Sequence, residues 1–188
     1  MKTAESASRA RLRILSWVKT IYVLRHAKSD WDSDAPSDFE RPLNRRGVQA
    51  AAHVGRFLAA NDEVPDRVLT SSAVRAASTV ELAAEAGAWR SEIVQVDSLY
   101  GASSEHMLEV LRGAPEGEER VMLVSHEPGI SVFVRGLIGG ASLRFPTAAL
   151  ARIDSGAGSW RDVAFGAATL RWLVVPRTLA GFARGLGG

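Results

Sequence analysis

One stretch decides the fold: Ile21-Tyr22-Val23-Leu24-Arg25-His26-Ala27-Lys28-Ser29-Asp30-Trp31. Its first four residues form a short apolar run, which then changes abruptly to Arg25 and His26. The run is too short for a typical helix, which favours a buried strand of a parallel sheet. In open α/β sheets, ligands bind at the carboxyl ends of the strands. A guanidinium and an imidazole there can bind and attack an oxyanion, although a capped core strand with solvent-facing polar ends stays open.

Length and composition predict a globular protein of one domain. The chain has 188 residues, of which 46% are hydrophobic and 23% are charged, enough for one sizeable core. Its formal net charge of +2 is too small to argue for a nucleic-acid partner. Without cysteine it has no disulfide, thiol catalyst or cysteine metal site, which suits a reducing cytoplasm. The apolar runs are too short to span a membrane, so we expect a cytoplasmic protein without a membrane partner.

Three segments are expected along the chain. Residues 1–19 are rich in Ala, Ser and Arg and lack the continuous apolar run of a signal peptide, so a mobile extension or a short helix is predicted. Residues 20–180 are expected to form a single domain. Residues 181–188 are rich in glycine and are predicted to be a mobile tail.

Short apolar runs and helical segments alternate in this domain. Strands are predicted at residues 21–24, 67–70, 92–96, 121–125, 150–153 and 169–175. Segments with helical periodicity follow the first four strands, and Asn44 is predicted to cap the first helix. The alternation predicts an α/β fold of three layers, α/β/α, with a mainly parallel central sheet.

Further polar residues follow two other strands. Arg75 is placed in the first turn of a helix expected to start at Ser71, where backbone N–H groups attract anions. His126 follows the strand at 121–125 and repeats the position of His26. Because the carboxyl ends of parallel strands meet at one edge, these side chains and Arg25 should share one pocket, with the two histidine rings within ~10 Å.

These segments resemble the histidine phosphatase superfamily of phosphoglycerate mutase-like proteins. Arg25-His26 corresponds to its usual Arg-His-Gly, and the continuation Ala27–Trp31 is similar to the SixA-type phosphohistidine phosphatases. The resemblance runs from about Thr20 to Ile153 and implies the phosphoglycerate mutase-like fold. Further matching segments lie at residues 39–50, 71–79 and 126–129 and at 145–150, where the SixA-type branch returns the chain past the site.

The resemblance implies a role for each matched residue. His26 would be the nucleophile and form a covalent phosphohistidine. Arg25, Arg75 and a protonated His126 would surround the phosphoryl group, with Ser29 as a further substrate contact. Because these cations neutralise the phosphoryl oxygens, no metal is needed, and no Asp, Glu or His spacing suggests a metal site or another cofactor.

One departure from the superfamily concerns the proton donor. Many members place a Glu in a Leu-x-Glu segment after the third strand, whereas this chain has Leu99-Tyr100-Gly101, flanked by Asp97 and Glu105. An enzyme without a strong general acid suits a phosphoramidate, whose nitrogen needs little help to leave. The resemblance therefore implies a phosphohistidine on a protein as the substrate, such as a His-containing phosphotransfer domain.

Two other functions stay open. The same fold could hydrolyse small phosphate esters or nucleotides, although the sequence has no long insertion that would form a lid. The chain could also be a catalytically weak module that binds phosphoproteins. The presence of His26 argues against this, because a pure binding module needs no nucleophile.

Overall fold

The computed structural model describes the backbone of residues 18–185 and the side chains of residues 18–181. Except for Val18 and Lys19, the expected extension at residues 1–19 lies outside this part of the chain, as do residues 186–188 of the tail. The strands are β1 (Lys19–Arg25), β2 (Arg67–Thr70), β3 (Glu92–Gln95), β4 (Arg120–Ser125), β5 (Leu150–Ser155) and β6 (Ala168–Val174). The helices are α1 (Arg45–Ala60), α2 (Val74–Gly87), α3 (Ser104–Arg112), α4 (Gly129–Leu137) and α5 (Pro176–Gly185).

The strands of the described residues form one sheet in the order β3-β2-β4-β1-β5-β6. The first four strands in this order are parallel, whereas β5 is antiparallel to β1 and to β6. The direction of β5 follows from residues 138–149, which return the chain to the carboxyl end of β1 before β5 begins. The predicted α/β fold with a mainly parallel sheet is therefore confirmed.

Alternate residues of β1 face two different cores, which makes the fold three-layered. Ile21 and Val23 pack with residues of α3 and α4 on one face of the sheet. Tyr22 and Leu24 pack with residues of α1, α2 and α5 on the other. All four side chains are fully buried, and such burial typically stabilises the fold by roughly 1.5–3 kcal/mol for each large apolar side chain.

The loop after β1 positions the first residues of helices α1 and α2 near the carboxyl end of the sheet. Asn44 caps α1 as predicted, with its Oδ1 accepting the N–H of Gly47 at 2.9 Å. A Cβ at Gly47 would collide with the carbonyl of Lys28, so glycine lets α1 approach the loop. Helix α2 begins at Val74 rather than at Ser71, and the N–H of Val74 donates to the Phe39 carbonyl at 3.0 Å.

Helix α5 was not predicted, and it overlaps the glycine-rich segment from Gly181 onward. Its Leu179 is buried in the core on the α1 side of the sheet.

Within residues 18–185, no helix combines the length and the apolar character that crossing a membrane requires.

Candidate active site

The two predicted histidines lie side by side at the carboxyl edge of the sheet. β1 and β4 are neighbouring parallel strands, and Arg25 is paired in register with Ser125. The next residues, His26 and His126, are therefore adjacent, and their ring centroids are 5.0 Å apart. Both are buried. The distance between the two rings is therefore well within the ~10 Å expected for two histidines that share one phosphoryl group.

The hydrogen bond of His26 defines the tautomer of its ring. Its Nδ1 lies 2.8 Å from the carbonyl oxygen of Ala27, and since a carbonyl only accepts, Nδ1 carries the hydrogen. Nε2 keeps its lone pair and has no hydrogen-bond partner among the described residues. Burial, together with the charges of Arg75 and Arg25, lowers the pKa of His26 to about 3. The imidazole is therefore neutral near neutral pH, as a nucleophile requires.

The two predicted arginines share one anchoring pattern. Arg25 donates from Nη1 to the carbonyl of Phe145 at 2.7 Å, and Arg75 donates from Nη1 to the carbonyl of Asp38 at 2.5 Å. In each guanidinium, Nε is buried without a partner in the described part of the chain. Leaving a buried cationic donor unpaired is costly, so an anion between these two groups would be bound strongly.

His126 is anchored through one ring nitrogen in the same way. Its Nε2 lies 2.9 Å from Oγ of Ser71, and its Nδ1 is buried with no partner among the described residues. Burial and the nearby Arg75 lower the pKa of His126 to about 4, so the ring is neutral in the free site. A phosphoryl anion would raise this pKa, because a nearby negative charge favours the imidazolium. The expected protonated state of His126 thus depends on bound substrate.

A return segment, residues 145–149, holds the Arg25–His26 turn in place. The N–H of Ala148 donates to the carbonyls of Arg25 and His26, both at 3.1 Å, and the N–H of Arg25 donates to the Ala149 carbonyl at 3.0 Å. Ala148 has a φ of 59°, in the left-handed region, which this turn requires. Together with the Phe145 contact, the segment fixes both main chain and side chain of Arg25.

Ser29 is not brought to this cluster by any contact in the described residues. It is buried at 4% exposure, and its backbone pairs with Leu43 in an isolated antiparallel bridge. Its contact with substrate therefore stays a prediction.

The two carboxylates considered as proton donors differ in position. Glu105 lines a pocket of about 450 Å³ that His126 also lines, whereas Asp97 lies in a 3₁₀ turn (Asp97–Leu99) outside that lining. The backbone N–H of Glu105 and the hydroxyls of Ser104 and Ser103 lower the pKa of its carboxyl. An ionised Glu105 is a poor general acid.

Several residues of the site were missed by sequence reasoning. Oδ2 of Asp38 accepts hydrogen bonds from Nη2 of Arg75 and from the Tyr100 hydroxyl, both at 2.9 Å. The Tyr100 ring meets the His126 ring edge-on, with centroids 5.4 Å apart. Glu127 lines the pocket beside His126 and a second pocket beside Arg25. Ser71 lies in the segment at residues 71–79 that resembles the superfamily, but the resemblance did not assign a role to this serine.

Metal ligands are not grouped in the described chain. Within residues 18–185, no group of three or more His, Cys, Asp and Glu side chains is arranged to hold a metal ion. What the site offers instead is a nucleophilic nitrogen beside the Nε–H donors of Arg25 and Arg75 and Nδ1 of His126, all buried and without a protein partner among the described residues. This arrangement can bind a tetrahedral oxyanion and attack its central atom.

Comparisons with known proteins identify the family. A family model described as the histidine phosphatase superfamily (branch 1) matches residues 21–100. An uncharacterized protein of Mycobacterium tuberculosis is 34% identical over 165 residues, which are 82% of this chain and 100% of the relative. A protein of Agrobacterium tumefaciens that is assigned as the phosphohistidine phosphatase SixA has a similar structure, with a TM-score of 0.72 at 29% identity. The match covers 84% of this chain and 98% of the other. A protein histidine phosphatase SixA complexed with tungstate has the same fold, with a TM-score of 0.74 at 24% identity over 85% of this chain and 99% of its own. The chain belongs to the histidine phosphatase superfamily, in its SixA-type branch.

Proposed function

We propose that this phosphatase removes the phosphoryl group from phosphohistidine on a protein, through a covalent phosphohistidine at His26 and without a metal. One observation carries the proposal: the protein anchors each functional side chain through at least one polar atom and leaves another without a protein partner among the described residues. The anchors fix the rings and guanidiniums before substrate arrives. Such preorganisation is what electrostatic stabilisation of a phosphoryl transition state requires.

In the first step, Nε2 of His26 attacks phosphorus. A bond forms between Nε2 and phosphorus while the bond from phosphorus to the substrate nitrogen breaks, and the electron pair leaves with that nitrogen. Nδ1–H of His26 keeps its bond to the Ala27 carbonyl while the ring gains positive charge. The equatorial oxygens are stabilised by Arg25 and Arg75 and by His126, whose pKa they raise.

In the second step, water attacks the phosphorus of the phosphohistidine. The new phosphorus–oxygen bond forms while the bond to Nε2 breaks, and the electron pair returns to the ring of His26. One hydrogen of the water stays on the inorganic phosphate and the other is released as a proton. The same three donors stabilise both steps, because the phosphoryl oxygens stay anionic throughout.

A protein substrate is supported by the surroundings of the site. Pockets of about 450 Å³ and about 460 Å³ flank it, beside His126 and beside Arg25. Trp31, Phe39 and Tyr100 lie nearby and are 71%, 37% and 41% exposed. Exposed aromatic side chains beside an anion site suit contact with a protein surface, where aromatic residues are enriched. The His-containing phosphotransfer domain as partner and the cytoplasmic location stay predictions.

The protein part of the proposal is tested by comparing substrates. We expect kcat/KM for a phosphorylated phosphotransfer domain to exceed that for free phosphohistidine by about tenfold or more, since contacts outside the phosphoryl group add binding energy worth about 1.4 kcal/mol per factor of ten. A nucleoside triphosphate and 3-phosphoglycerate complete the panel. Equal values for the domain and free phosphohistidine would contradict a protein substrate, whereas preference for a small ester would favour the alternative function.

Metal independence is a separate prediction. Turnover should be unchanged within twofold after EDTA treatment, because the cations of Arg25 and Arg75 already compensate the phosphoryl charge. The measurement is the rate on one phosphoramidate before and after chelation, and after addition of Mg²⁺. Loss of activity with EDTA and its recovery with Mg²⁺ would refute this part of the mechanism.

A further inference from the structure

A third guanidinium near the site, that of Arg41, is buried although the residue belongs to an irregular loop. Arg41 is only 8% exposed. The exposed Trp31 ring covers it, with Cζ 3.4 Å from the ring centroid. Its Nη2 donates to Oδ1 of Asp38 at 2.5 Å, whereas its Nε and Nη1 are buried without a partner among the described residues. Two unpaired buried donors on one cation are costly unless a ligand pairs with them.

Asp38 connects this guanidinium to the phosphoryl site. Its Oδ1 accepts from Arg41 and its Oδ2 from Arg75, so one carboxylate bridges two cations. Burial opposes ionisation of Asp38, but the Tyr100 hydrogen bond and the charges of Arg75 and Arg41 keep its pKa below the usual range. One negative charge between two positive charges leaves the group of three with a net positive charge, which attracts a further anion.

The electrostatic influence of Arg41 reaches the same edge of the sheet. Together with Arg75 and Arg25, it lowers the pKa of His126. Like those two arginines, Arg41 has at least one Nη held by the protein and an Nε that is buried without a partner among the described residues. Resting on the proposed function, we propose that Arg41 is a third arginine that binds the phosphoryl group of the substrate, held for this purpose by Asp38 and Trp31.

The test is the affinity for inorganic phosphate, measured by calorimetry and by product inhibition. Arg41→Lys keeps the charge but loses the planar fork and Nε–H, so we expect the Kd for phosphate to rise about 10- to 100-fold. Arg45→Lys is the matched control, because Arg45 is exposed at the start of α1, and its Kd should equal that of the wild type. In Arg41→Ala, added methylguanidinium should restore phosphate binding at least in part, which a purely structural role of Arg41 would not allow.

The outcomes separate this inference from the proposed function. Normal phosphate affinity in Arg41→Lys, with weakened affinity in Arg75→Lys, would overturn the role of Arg41 and leave the phosphatase site intact. Normal affinity in both variants would refute the phosphoryl site itself. If the Arg41 variants do not fold, heteronuclear NMR of the wild type decides: phosphate should shift the Nε–H resonance of Arg41, and an unshifted resonance at saturation would overturn the inference.

Discussion

Replacement of His26 by alanine should abolish both turnover and covalent labelling of the protein. Its Nε2 has no hydrogen-bond partner among the described residues, while Nδ1 is held by the Ala27 carbonyl, so this nitrogen is the nucleophile of the proposed mechanism. We expect the rate on a phosphoramidate to fall by more than ~10³-fold, beyond the ~10²–10³ that loss of a single stabilising donor costs. The measurement combines steady-state turnover with trapping of radioactive phosphate on acid-quenched protein.

His126→Ala is the matched control for that experiment. It removes the neighbouring ring, 5.0 Å from His26, but leaves the nucleophile in place. Turnover should fall by ~10²–10³, and labelling at His26 should still be detectable. Turnover near the wild-type rate in His26→Ala, or labelling of that variant, would contradict a covalent intermediate at His26.

The rate should depend strongly on the basicity of the leaving group. Neither carboxylate that flanks the Leu99–Gly101 segment is suited to donate a proton, because the pKa of Glu105 is lowered and Asp97 does not line the pocket beside His126. Phosphoramidates and aryl phosphates should therefore react ~10²–10⁴ times faster than alkyl esters such as 3-phosphoglycerate, which is the usual contribution of general acid catalysis. The measurement is kcat/KM over a series of leaving groups.

Substitutions of the two flanking carboxylates provide the control. Asp97→Asn and Glu105→Gln should each change the phosphoramidate rate by less than about tenfold, or 1.4 kcal/mol. A hundredfold loss in either variant would identify a general acid. Equal rates on alkyl and aryl esters would point to the same conclusion, and hydrolysis of small esters would then be the better assignment.

The parallel part of the sheet could be predicted because it contains short, continuous apolar runs, as at Ile21–Leu24 and Val121–Val124. The reversed direction of β5 could not, since it depends on where residues 138–149 carry the chain. Helix α5 was missed because its glycines lower helix propensity, and packing of Leu179 against the core outweighs this. Pro176 is the first residue of the helix, a position where proline is favoured.

The candidate site was predictable to the extent that strands position it. Arg25, His26 and His126 meet because neighbouring parallel strands end together, a relation that strand order alone provides. Asp38 and Arg41 come from a loop without periodicity, so only the folded chain places them beside Arg75. No local pattern encodes such contacts between side chains distant in sequence.

The use of main-chain oxygens as anchors has a consequence for sequence drift. The carbonyls of Ala27 and Phe145 orient His26 and Arg25, and a carbonyl is present whatever side chain its residue carries. Ala27 illustrates this, because it stands where the superfamily usually has glycine. In a deep mutational scan, positions 27 and 145 should accept replacements that their packing allows. Loss of activity should concentrate where the backbone path itself is demanding, as at Ala148 with its positive φ.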